Sequence, residues 1–143
     1  MILIWKVDTT MRGVAAAQSV YDAFAAEHPA GVFLLTVVEQ DAPMPSSEVR
    51  AALAAFLSTG VNRTLFSAVA HEGTGFRAAS VRSVVTGLAM LAKLPYPHKV
   101  FASVDQAARW FWMSSPIANA WGETALIEAV HDVRAQVGRV ATA

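Results

Sequence analysis

Residues 31–38 read GVFLLTVV, an apolar run interrupted by one threonine and by no charge. A run without polar alternation suits a strand covered on both faces, the normal situation in a parallel sheet. What flanks it supports that reading. Upstream, His28-Pro29-Ala30-Gly31 is a turn, because proline disfavours helix in the residue before it. Before the turn, Val14, Ala17, Val20, Tyr21 and Phe24 recur at helical spacing, so Met11–Glu27 reads as a helix that Asp8, Thr9 or Thr10 can cap. Before that helix, Met1–Val7 is short, apolar and rich in Ile and Val, and reads as a strand.

Downstream the alternation continues. EQDAPMPSS, with its two prolines, is a loop; Glu48–Ser58 is a second helix ending at Gly60, and Arg63–Ala70 a third strand. HEGTG turns the chain into a helix over Phe76–Leu94, stopped by Pro95 and Pro97. His98–Ala102 is a short fourth strand. Ser103 and Gln106 form a capping box that opens a helix through Trp112. Met113–Pro116 breaks the chain, and a last amphipathic helix runs from about Asn119 to Val140. Strands alternating with helices imply right-handed βαβ units. The expected fold is α/β: four mainly parallel strands flanked by helices over residues 1–114, then a C-terminal helical extension over 115–143.

Composition narrows the classes. The chain has 143 residues, 11 basic and 11 acidic, with no formal net charge. That balance argues against a nucleic-acid surface, which needs a basic excess. At 55% hydrophobic and 15% charged, the chain has less charge than the roughly 25% of an ordinary domain, so part of its surface is expected to be buried against a partner or a second copy. With no cysteine, disulfides, thiolate metal sites and cysteine nucleophiles are excluded. The longest stretch free of Asp, Glu, Lys and Arg, Trp110–Gly122, has 13 residues, against ~20 for a spanning helix. MILIWKVD has no basic leader and its apolar run breaks at Lys6, so a cytoplasmic, non-membrane protein is expected.

Residues 81–111, VRSVVTGLAMLAKLPYPHKVFASVDQAARWF, carry a family pattern. A helix with Val/Arg then Gly-Leu leads to a short strand, KVFAS, and to a helix opening Ser-Val-x-x-Ala. This resembles the C-terminal half of STAS domains, the anti-sigma-factor-antagonist superfamily with the SpoIIAA-like fold. The order of elements over residues 1–112 is similar as well. Antagonist members carry an Asp-Ser-Ser-Gly-like segment whose serine is phosphorylated at a helix start. Here the segment reads EQDAPMPSSEVR, with Ser46 and Ser47 but no Asp-Ser-Gly, which is closer to a branch lacking that motif. The resemblance implies a regulatory or protein-interaction module without enzymatic activity or cofactor, with a partner site around Ser46 and Ser47. Each is also an ordinary helix-cap serine.

Other residues invite chemistry. Gly73-Thr74-Gly75-Phe76-Arg77-Ala78 matches G-x-G-x-x-A at a strand-to-helix turn, where backbone N–H groups can meet an anion; no acidic residue follows at the ribose spacing. Trp110, Phe111 and Trp112 are about 100° apart on a helix and cannot share one core. The simplest reading packs Trp121 and the last helix over this cluster. Alternatively, Trp110, Trp112 and Trp121 with Phe76 form an apolar pocket with Arg77 reading an anionic group, and the fold's resemblance to lipid-transfer domains implies a carrier or sensor. His71 and Glu72 could act as an acid–base pair, although sequence neighbours in extended chain point to opposite sides. No spacing suits a metal. Finally, Leu126, Val130, Val133, Val137 and Val140 recur at spacings of 4, 3, 4 and 3, a seam that either docks on its own domain or joins two copies as a homodimer.

Overall fold

The computed structural model describes residues 1–59 and 63–140; the side chains of Arg77, Leu91, Ala118, Asn119 and 137–140 lie outside the described residues. The strands are β1 (Ile2–Trp5), β2 (Val32–Val38), β3 (Thr64–His71) and β4 (His98–Phe101). The helices are α1 (Met11–Glu27), α2 (Ser47–Thr59), α3 (Gly75–Ala92), α4 (Val104–Ser114), the single turn α5 (Pro116–Asn119) and α6 (Glu123–Val140). All strand pairs are parallel, and the sheet order β1-β2-β3-β4 follows the chain.

That order decides the layers. Crossovers of one hand that always step in one direction leave every connecting helix on the same face. Alternate residues of β2 read out the result. Val32 and Leu34 pack with Val14, Tyr21 and Ala25 of α1 and Val49 and Phe56 of α2. Phe33, Leu35 and Val37 turn the other way and pack with Val104, Ala107 and Phe111 of α4 and Val130 of α6. All five apolar residues of GVFLLTVV that face a core directly, Val32 to Leu35 and Val37, are buried, as the unbroken apolar run requires.

Local signals set the boundaries. The Thr10 hydroxyl accepts from Gly13 N–H at 3.1 Å and starts α1. The Ser103 hydroxyl accepts from Gln106 N–H at 3.2 Å, and the Gln106 side chain reaches back to Ala102 N–H at 3.3 Å. Gly31, with φ of 108°, makes the turn into β2; a Cβ there would stand 2.5 Å from Leu65 Cγ. Leu65 is the residue skipped where the β2–β3 register shifts between Val32 and Phe33. The expected break after Trp112 is shorter than expected: α4 continues to Ser114 and α5 makes one further turn. Gly122, with φ of 79°, then separates it from α6, so the last helix begins at Glu123 rather than near Asn119.

Candidate functional site

The C-terminal ends of parallel strands leave a crevice where open α/β sheets usually bind ligands. On the side covered by α1, α2 and α3, that crevice holds an apolar cavity of about 80 Å³. Trp5 closes it at the end of β1, Val38 and Val69 form its floor, Val85 comes from α3, and Pro43 and Met44 from the β2–α2 loop. The loop is held in place. Its prolines fix φ, Ala42 N–H donates to Glu39 C=O at 3.1 Å, and the Arg50 guanidinium donates to Pro45 C=O at 2.8 Å. Met44 nevertheless stays exposed. Where the loop meets α2, Ser46 accepts from Val49 N–H at 3.3 Å and serves as the helix cap. Ser46 and Ser47 are exposed, and Ser46 borders a shallow groove shared with Asp8, Thr10 and Met11.

On the opposite face the same edge is clamped by charge. Arg134 of α6 meets Glu39, just past β2, through Nε–Oε1 at 2.7 Å and Nη2–Oε2 at 3.4 Å, and Glu72, just past β3, through Nη2–Oε2 at 2.7 Å. Glu72 Oε1 also accepts from Val104 N–H at the start of α4, where a helix favours negative charge. Desolvation lowers the Arg134 pKa, but hydrogen bonds to Glu39 and Glu72 outweigh it and raise it above the ordinary value.

The other expected residues separate. His71 is buried, and its Nδ1–H donates to Val38 C=O at 3.0 Å, while Glu72 turns to Arg134 and Val104. The structure therefore does not join His71 and Glu72 as an acid–base pair. Gly73 and Gly75 have φ of 153° and 82°, which the turn into α3 requires, and the Arg82 guanidinium donates to the carbonyls of His71 and Gly73 at 3.3 Å. Phe76 is 89% exposed; the Arg77 side chain lies outside the described residues. Trp110 packs on Phe66 and Phe101, and Trp121 on Phe33, with ring centroids 5.1 to 5.7 Å apart. These partners belong to the α4–α6 face. The pocket expected from Phe76, Trp110, Trp112 and Trp121 is thus displaced: none of the four lines the cavity at the strand ends. Trp112 and Trp121 are about half exposed.

The apolar seam of α6 is used within the chain. Val130 is fully buried in the core formed with the sheet and α4, and Leu126 packs against that core. Val133 is half-buried, and the Val137 side chain lies outside the described residues. Val130 is thus taken up by its own domain, and Leu126 is half-buried against it.

Sequence reasoning did not single out the Ser67–His98 pair. Ser67 Oγ lies 2.9 Å from His98 Nδ1, and burial lowers the His98 pKa to about 4. An unfolded histidine titrates near ~6.5, so between these values the unfolded chain binds the proton that the folded chain refuses. Stability is therefore full above about pH 6.5 and falls as pH drops toward 4, by on the order of 3 kcal/mol. Urea unfolding at stepped pH should show that decline, and His98→Phe should flatten it; an unchanged slope in the variant would assign the decline to other groups.

Comparison with protein-family models, curated proteins and solved structures finds no match to this chain.

Proposed function

We propose that the chain is a non-enzymatic binding module whose site is the cavity at the C-terminal edge of the sheet, and that it carries or senses a small apolar or lipid-like ligand. The single observation behind this reading is a partly open, mainly apolar space in the crevice where such sheets bind ligands. Burying hydrocarbon against such walls is favourable, because it removes apolar surface from water. At about 80 Å³ it takes a few carbons of a chain, and the exposed Met44 is the lining residue best able to yield to more.

A second reading follows the STAS resemblance: a cytoplasmic regulatory or protein-interaction module acting as a homodimer. It is favoured by the exposed Ser46 and Ser47 at the start of α2, directly after the loop that closes the cavity. Native mass spectrometry of gently purified protein separates the two. Extra mass that is lost on denaturation, and absent from Val85→Trp, is the expected result for ligand binding. A dimer of unmodified mass with nothing bound would overturn the carrier reading in favour of the interaction module.

A further inference from the structure

A second recess lies between the end of α3 and the outer edge of β4. It is an open groove of about 540 Å³ with Met90, Lys93, Leu94, Tyr96, His98 and Lys99 among its walls. It is separate from the cavity of the proposed function and owes nothing to that reading. His98 Nε2 is buried and has no hydrogen-bond partner among the described residues. Such an atom is costly, because water has been removed and nothing replaces it.

The tautomer follows from the neighbouring hydroxyl. Ser67 is buried, and the described partner of its hydroxyl is His98 Nδ1. If Nδ1 carried the ring proton, the serine hydrogen and the Nε2 lone pair would both go unmet. If Ser67 donates to Nδ1, the serine hydrogen and the Nδ1 lone pair satisfy each other and a single donor, Nε2–H, is left over. The second arrangement loses one hydrogen bond instead of two, so the ring proton sits on Nε2. Burial keeps the ring neutral at neutral pH, with its pKa lowered to about 4.

An N–H donor wants an acceptor, and the groove's charge selects which kind. Its described lining includes Lys93 and Lys99 and no acidic residue. Lys93 sits in the left-handed conformation at the end of α3, with φ of 45°, and is exposed beside the groove. Lys99 rests its ammonium 5.5 Å from the Trp110 ring on the other face, so Lys93 is the available cation. Met90, Leu94 and Val100 supply apolar wall. Met90 is exposed and unbranched, so this wall can adapt to a ligand's shape.

We propose that this groove binds a small monocarboxylate with a compact apolar body, its carboxylate accepting from His98 Nε2–H and pairing with Lys93. Benzoate is the probe and benzyl alcohol its uncharged counterpart. Long-range proton–nitrogen NMR of the intact chain reads the His98 ring directly. The expected result is an Nε2–H tautomer in the free protein and a saturable benzoate shift at His98 that benzyl alcohol does not reproduce. His98→Phe should weaken benzoate by about tenfold or more, the usual weight of a hydrogen bond to a charged group. Lys93→Gly, which keeps the left-handed backbone and leaves the core untouched, should weaken it several-fold. An Nδ1–H tautomer, the absence of a saturable shift, equal binding of benzyl alcohol, or unchanged affinity in Lys93→Gly would each overturn the assignment.

Discussion

Val130→Asp is expected to abolish cooperative unfolding of this protein. Val130 is completely buried between α6, α4 and the sheet face that carries Leu35 and Val37. An aspartate there stands one turn from Arg134, whose guanidinium is already taken by Glu39 and Glu72, and a carboxylate desolvated without its own partner costs several kcal/mol. Loss of the valine's packing adds about 1 to 2 kcal/mol. Together these consume most of the ~5–15 kcal/mol that holds a domain of this kind folded. Val133→Asp, on the same stripe but half-buried, should cost about 1 kcal/mol or less. Thermal unfolding of the two variants, with size-exclusion mass, tests where the stripe is used. A Val130→Asp protein that still melts sharply, but at half the mass of the parent, would move the stripe from the core to a contact between copies.

Arg134→Ala comes second, with an expected loss of about 3 kcal/mol, at the low end for a broken buried pair because the groups are partly exposed. The guanidinium is 24% exposed, and its carboxylate partners 25% and 34%. Its removal leaves Glu39 and Glu72 without their shared cation and without a tie from α6 to the sheet. Arg134→Lys should recover little of the loss, because an ammonium cannot span two carboxylates with the fixed fork of a guanidinium. The destabilisation should shrink where Glu39 is already replaced by glutamine, because one of the charges that Arg134 serves is then gone. Urea midpoints of Arg134→Ala in the parent and in Glu39→Gln check this. A deficit equal in both backgrounds would mean that the packing of the arginine stem mattered and its pairing with Glu39 did not.

How much of this could be read from the chain varied with how local the cause was. GVFLLTVV announced a strand buried on both faces because successive residues from Val32 to Leu35 meet alternate cores. Ser103 announced a helix start, and Asp8, Thr9 and Thr10 narrowed another to three residues, because a cap acts within three residues. α5 was missed because a single turn after proline carries no periodicity. The stripe through Leu126 and Val130 was visible, but an apolar stripe looks the same whether it meets its own sheet or a second copy. The Arg134 clamp was invisible, since its partners lie 95 and 62 residues upstream and no spacing rule joins them. The cavity was misplaced for a related reason. Tryptophans drew attention to the α4–α6 face, whereas the space is walled by valines and prolines of separate elements that look in sequence like ordinary core. Ser67 and His98 meet across a strand pair, 31 residues apart, and neither residue type is unusual in a strand.

The consecutive order of the strands also bears on how the chain assembles. Strands that are neighbours in the sheet are neighbours in sequence, so each new pairing closes a loop of about one helix, and the entropy of closure stays low. β1 to β4 can join one after another as they emerge, each finding an edge already in place. α6 cannot follow that schedule: its tie to Glu39 closes a span of 95 residues. Until residues beyond 123 arrive, the sheet face bearing Phe33, Leu35 and Val37 has α4 as its long cover, and a nascent chain paused there offers an apolar surface to any chaperone or neighbouring chain that reaches it first.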